Sequence, residues 1–197
     1  MTSSKSQRVA FGETLNELIE KNPRVVVLDG DLANSTRADF VAKAHPDHFL
    51  EMGIAEQNMM GVAAGLASLG FIPFISTFAA FAAKRDLDQV RVVVAQPNLR
   101  VIITGAYSGI QTGKTGKTHH AVQDISVFRA MPNMTVVAPA DAVEVRKAMI
   151  ALVNDLDGPA YLRLTRDPFK TIFDDSYQFE LGKAFVLREG DDIALIG

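Results

Sequence analysis

The sequence contains no cysteine. Disulfides, thiolate metal sites and a cysteine nucleophile are therefore excluded, and the composition fits a cytoplasmic protein. A strong charge of either sign is also missing, since the 197 residues carry a formal net charge of -3. Nucleic acid and anionic membrane surfaces are thus not expected as partners. No apolar run opens the chain: Met1 to Arg8 is polar, lacks the hydrophobic stretch of a signal peptide, and reads as a natural start. The most apolar segment, Met59 to Ala83, is interrupted by Gly61, Gly65, Gly70 and Pro73. It reads as helix, turn and strand in a packed core, not as a membrane span. No internal repeat or low-complexity tract is visible.

What is present is a composition that builds a core. Hydrophobic residues make up 48% of the chain, which argues against disorder, and the length allows one or two domains. Apolar β-rich runs alternate with helical patterns. Phe11, Leu15, Leu18 and Ile19 mark one face of a helix over Ser6 to Glu20. Val25 to Asp29 is a continuous apolar run that suits a strand covered on both faces. The spacing then predicts a short helix over Ser35 to Ala44, a strand over Phe49 to Met52 and a helix over Glu56 to Leu69. A strand follows over Phe71 to Ile75, and a long helix over Phe78 to Val94 with a break near its middle. Beyond these come strands at Arg100 to Thr104, Thr135 to Ala138 and Ala160 to Leu164. Helices are expected at Ile125 to Met131 and Ala142 to Asn154, and a Gly/Thr/Lys-rich loop at Gly105 to His120.

This alternation predicts an α/β fold, a doubly wound, mostly parallel sheet with helices on both faces. Functional groups then belong just beyond the carboxyl ends of the strands. The first domain is expected to span residues 1–175. Residues 176–197 read as a linker and the truncated start of another domain: Leu181 to Leu187, a turn at Glu189–Gly190, and a new strand over Ile193 to Ile196.

Three constellations fall at predicted strand ends. The first is Gly53-Ile54-Ala55-Glu56, leading into a helix rich in Ala, Gly and Met. Glu56 reads either as a solvated acid near a helix dipole or as a carboxyl in an apolar site, poised to share a proton with a ligand. The second is Ser76-Thr77-Phe78-Ala79-Ala80-Phe81-Ala82-Ala83-Lys84-Arg85, with Phe78 and Phe81 three apart on one helical face. The third, Gly113 to His120, contains Gly-Lys-Thr twice. A nucleotide phosphate loop needs a glycine five residues earlier, where Ser108 and Gln111 stand.

Together these segments resemble the transketolase family, which includes deoxyxylulose phosphate synthases and the β subunits of 2-oxoacid dehydrogenases. The resemblance covers roughly residues 6 to 196. It implies the thiamine diphosphate-binding fold and, for this chain, its pyrimidine domain. Glu56 matches the family glutamate that hydrogen-bonds N1′ of the aminopyrimidine and promotes its imino tautomer, a form of acid–base catalysis through the cofactor. Phe81 matches the aromatic that stacks on the pyrimidine, with Phe78 as a neighbouring contact. His119 matches a histidine that contacts the sugar near the thiazolium. Lys84 stands where many members have Tyr, and Lys114–Thr115 where they have Glu-Asp, so the loop is more cationic and the donor preference altered. Ser35 corresponds to a serine that contacts substrate phosphate, and Arg166 to a post-strand phosphate-binding arginine. Arg8 matches a further phosphate-binding arginine loosely, and Arg163 ranks behind Arg166.

The family's Gly-Asp-Gly…Asn motif for the diphosphate and its metal does not follow Asp29-Gly30-Asp31. The resemblance therefore implies a split enzyme. Thiamine diphosphate and Mg²⁺ or Ca²⁺ would be held mainly by a partner, an N-terminal transketolase subunit, and no metal ligand is expected on this chain. The substrate would be a sugar phosphate and the assembly a homodimer or heterotetramer. The other readings are an E1 β-like subunit of a 2-oxoacid dehydrogenase and a non-catalytic or nucleotide-binding α/β module.

Overall fold

The computed structural model describes residues 4–195. Met1, where the natural start was read, lies outside the described residues. Six strands form one sheet: β2 (Val25–Asp29), β3 (Phe49–Glu51), β4 (Ile72–Phe78), β5 (Ile102–Ala106), β6 (Thr135–Val137) and β7 (Ala160–Arg163). They lie in the order β3-β2-β4-β5-β7-β6, and every pairing is parallel. The sheet is doubly wound, as the alternation predicts. Successive residues of a strand face opposite sides, and β2 shows the consequence. Val25 and Val27 enter one core with Phe11, Leu15 and Leu18 of α1 (Gln7–Lys21) and Val145, Met149 and Leu152 of α8 (Ala142–Asn154). Val26 and Leu28 enter the other, with Met59, Met60 and Ala63 of α4 (Glu56–Ser68) and Phe128 of α7 (Asp124–Arg129). All five residues of β2 are buried.

Two further strands, β1 (Ser4–Lys5) and β8 (Phe169–Lys170), pair antiparallel. They are two residues each, carry no periodic signal, and were not expected from the sequence. Their pairing brings the start of α1 beside the segment after β7.

Three expectations need correction. The helix predicted over Ser35 to Ala44 is two pieces, α2 (Ala33–Thr36) and α3 (Asp39–Ala44), separated by Arg37 in the left-handed region at φ 76°. Gly12 of α1 permits this approach, because a Cβ there would lie 2.3 Å from the Arg37 carbonyl oxygen. The long helix over Phe78 to Val94 begins later and is broken. Phe78 is the last residue of β4, and α5 (Ala79–Ala82) and α6 (Leu87–Gln89) are short. The segment Val90–Ala95 is wound more widely, with i→i−5 bonds from Gln96 to Arg91 and from Leu99 to Val94, both 3.0 Å. The strand expected over Ile193 to Ile196 does not form in its described part, residues 193–195; Ile196 lies outside the described residues. Among the described residues no strand pairs with it, and a lone strand leaves its backbone groups unsatisfied.

The segment after β8 is held to the domain through α8. Asp141 caps that helix by accepting from Glu144 N at 2.9 Å, and Glu144 accepts from Ala140 N at 2.7 Å, a reciprocal cap. The second Asp141 oxygen accepts from the backbone N–H groups of Ile172 (2.7 Å) and Phe173 (2.8 Å). Asp141 is buried, so its loss would strand three backbone donors. Asp141→Ala is expected to lower the unfolding free energy by about 2 kcal/mol or more and to speed proteolytic cleavage near residues 172–178. Urea denaturation and limited proteolysis measure both effects; a change below about 0.5 kcal/mol would refute this account of the cap.

Candidate functional site

Strand order reverses between β2 and β4, which opens a crevice at their carboxyl ends. The groups singled out from sequence converge on that edge. Gly53, with φ 69°, turns the chain after β3, and Glu56 opens α4. Glu56 is only 4% exposed, so the solvated-acid reading fails on burial. Its Oε1 accepts from Arg85 Nη1 at 2.6 Å. The Arg85 guanidinium also lies over the Phe81 ring, 3.9 Å from its centroid.

Phe78 does not share a helix face with Phe81, because it belongs to β4. The two rings still meet, with centroids 5.6 Å apart, since α5 starts immediately after the strand. His119 stands edge-on to both, 6.0 Å from Phe78 and 5.4 Å from Phe81. It reaches them because the excursion after β5 returns on itself. Gly109 and Ala121 exchange backbone hydrogen bonds of 2.8 and 3.0 Å, and Ala121 packs against Ala79, Ala80 and Phe81. Thr118 Oγ1 lies 2.9 Å from His119 Nδ1. The first Gly-Lys-Thr forms a three-residue turn, Gly113–Thr115, and the second a turn closed by the His119 N–H on the Gly116 carbonyl; neither opens an α-helix that could cradle nucleotide phosphates.

A second group lies at the far end of the same shelf. Tyr107, just beyond β5 at φ 58°, stacks on Phe78 with centroids 4.2 Å apart. Arg8 and Arg166 lie over its ring at 4.9 and 5.4 Å, and Arg8 Nη1 is 3.3 Å from the Tyr107 hydroxyl. Arg8 also donates to the carbonyls of Arg166 and Ser35. Ser35 thus joins the group through its backbone; its hydroxyl donates to Asn34 Oδ1 at 3.2 Å. Burial lowers the Arg8 pKa from its ordinary value; Tyr107 opposes this, while Arg37 and Arg166 add to it. Cations gathered this closely suit a bidentate anion. Arg163 is committed elsewhere: its Nε donates to buried Asp124 at 2.8 Å, as does the Tyr161 hydroxyl.

The order along the shelf is therefore Glu56, Arg85, Phe81, Phe78 with His119, Tyr107, then Arg8 and Arg166. Two surface grooves, of about 310 and 250 Å³, are lined mostly by residues of α1 and α8 and by none of these side chains. Among the described residues, no group of three or more His, Asp or Glu is placed to hold a metal ion. The Arg85 guanidinium, a flat nitrogen-bearing group, spans the Glu56 carboxylate and the Phe81 ring.

Sequence reasoning missed Tyr107, Arg85 and Asp86. Tyr107 carried one usable signal, an aromatic directly after a strand end. Asp86 is fully buried, and neither carboxylate oxygen finds a partner among the other described residues. Burial pushes its carboxyl up to about 8; its own backbone N–H opposes the rise and the charge of Glu56 adds to it.

Residues 3–170 match the family model described as transketolase, pyrimidine binding domain. A Methanocaldococcus jannaschii protein described as a transketolase C-terminal section is 41% identical over 194 residues, covering 98% of this chain and 61% of that protein. A 6-deoxy-6-sulfo-D-fructose transketolase subunit of a Clostridium species is 40% identical over 189 residues, covering 96% and 58%. Among solved structures, a split gene transketolase described as an inactive β4 tetramer superposes with a TM-score of 0.85 at 42% identity, covering 95% of this chain and 60% of that one. The chain thus spans about three fifths of each of these relatives.

The buried acids make stability depend on pH. A carboxyl whose pKa rises on folding keeps its proton longer in the folded state, so stability is lost as pH climbs from the unfolded to the folded value. For Asp86 that window runs from 3.8 to about 8. For Asp29, raised to about 6 by burial against hydrogen bonds from Leu32 and Ser76, it closes earlier. The unfolding free energy is expected to fall across pH 5 to 8. Asp86→Ala should flatten the part between about pH 6 and 8, whatever its effect on absolute stability. Urea titrations at four or five pH values would show it, and an unchanged slope would contradict it.

Proposed function

The chain belongs to the transketolase family through its pyrimidine-binding domain, and from that premise we propose that it is one subunit of a two-chain, thiamine diphosphate-dependent ketol transferase. The observation that carries this reading is a buried carboxylate, Glu56, joined to the Phe81 ring through the planar Arg85 guanidinium, with His119 at the edge of the aromatic pair. When bound, thiamine diphosphate supplies a carbon nucleophile that takes a two-carbon ketol unit from one sugar phosphate and passes it to another.

The residues of this chain would do the rest. Glu56, buried at the start of α4, would exchange a proton with the pyrimidine N1′. Phe81 offers its face to the ring, and Phe78 backs Phe81 and Tyr107. His119 is placed to donate to, or accept from, a sugar hydroxyl near the reacting carbon. Arg166 and Arg8, with Ser35 beside them, hold the terminal phosphate. The stack of Tyr107 on Phe78 sets how far that phosphate lies from the pyrimidine site.

The diphosphate and Mg²⁺ or Ca²⁺ would be held mainly by an N-terminal transketolase subunit. Relatives described as a C-terminal section and as a split transketolase support this division. A homodimer in isolation, or a heterotetramer with that subunit, completes the reading. Residues 1–175 form the pyrimidine domain, and 176–197 lead into a further domain. The cysteine-free composition fits a cytoplasmic setting.

Mixing this chain with its diphosphate-binding subunit, thiamine diphosphate and Mg²⁺ is expected to restore ketol transfer that neither chain shows alone. Glu56→Gln should lower kcat by roughly 100-fold or more. Parental turnover by that variant would end the assignment, and CO₂ release from a 2-oxoacid would move it to the dehydrogenase branch. Arg166→Ala should raise KM for a phosphorylated donor by on the order of 10-fold, with little change for a donor lacking the phosphate.

A further inference from the structure

Arg85 lies over the candidate site, yet the chemistry above gives it no part. Its guanidinium makes two contacts at once: a hydrogen bond to Glu56 Oε1 at 2.6 Å and a face-on approach to Phe81, 3.9 Å from the ring centroid. An aminopyrimidine in the same place would need a donor group aimed at that carboxylate and a flat face on that ring. A guanidinium meets both needs, being planar, delocalised, rich in N–H donors and well suited to stacking on an aromatic face.

We propose that Arg85 is a built-in occupant of the pyrimidine place, and that its side chain must turn away before the cofactor engages Glu56. This rests on the reading of Glu56 given above. The local structure lets the side chain move alone. The Arg85 backbone N–H donates to the Phe81 carbonyl at 2.8 Å, and its own carbonyl accepts from Gln57 Nε2 at 3.0 Å. The main chain is thus tied to both α5 and α4. The Arg85 side chain is 45% exposed whereas that of Glu56 is 4% exposed, so water can receive the cation while the carboxylate stays. Until displaced, Arg85 neutralises a carboxylate that burial would otherwise leave unpaired.

Two effects of opposite sign follow from one side chain. In the chain alone, Arg85 stabilises the fold through Glu56. In the assembled enzyme it competes with the cofactor and weakens apparent binding by the fraction of time it occupies the site. A purely structural ion pair would give the first effect without the second. An arginine that contacts the cofactor would give weaker binding when removed.

The test is isothermal titration of thiamine diphosphate, with Mg²⁺, into the complex of this chain with its diphosphate-binding subunit. Arg85→Ala is expected to bind the cofactor about 3- to 10-fold more tightly than the parent, while the chain alone melts at a lower temperature. Arg85→Lys keeps the charge but loses the flat face, and should fall between. It also serves if Arg85→Ala does not fold. Unchanged or weaker cofactor binding in both variants would overturn the proposal. Glu56→Gln in the same titration separates the two readings. If it leaves affinity and turnover unchanged, the pyrimidine-site assignment itself fails. If it impairs them but neither Arg85 variant binds more tightly, only the role of Arg85 fails.

Discussion

A parallel sheet buried on both faces is the constraint on which the rest of this molecule depends. Parallel pairing sends every strand in one direction, so all six carboxyl ends open on a single edge. Glu56 after β3, Ser35 after β2, Phe78 at the end of β4, Tyr107 and His119 after β5, and Arg166 after β7 are far apart in sequence. They become neighbours because each follows a strand whose register is fixed by an apolar core above and below it. Slipping one strand by a single residue would exchange its two faces and break both cores together.

On that edge the aromatic side chains form a continuous structure. Phe81 meets Phe78, and Phe78 meets Tyr107 at 4.2 Å. A carboxylate stands at one end and two guanidiniums at the other. Arg85 already pairs with the carboxylate at its end, so the rings separate a neutralised carboxylate from the two guanidiniums around Tyr107.

Much of this was legible in the sequence, and the failures have physical causes. Val25 to Asp29 and Ala142 to Asn154 were read with the bounds they have, because a fully apolar run and a regular 3.6-residue period leave few alternatives. The break after Ala82 was placed loosely; there the Arg85 carbonyl accepts from Gln57, 28 residues away, a contact no local window contains. The β1–β8 pair has no pattern to detect and exists because the ends of the domain meet in space. For the candidate site, Glu56, Phe81 and His119 were named from motif resemblance and the structure brings them to one edge. Phe78 arrived there from a strand instead of a helix. Arg85 and Asp86 were invisible because their meaning comes from burial and from the neighbour across the gap, neither of which a local window contains.

The bonds between Gly109 and Ala121 close the neck of the excursion after β5. Everything between them, including Lys114, Thr115 and Lys117, hangs from a neck already fastened to the body. His119 sits near that neck, against the aromatic pair, while the lysines sit out toward the tip. The tip is therefore an exchangeable cassette. Changes in the length, charge or hydroxyls of the tip leave the contacts of His119 with Phe78 and Phe81 in place.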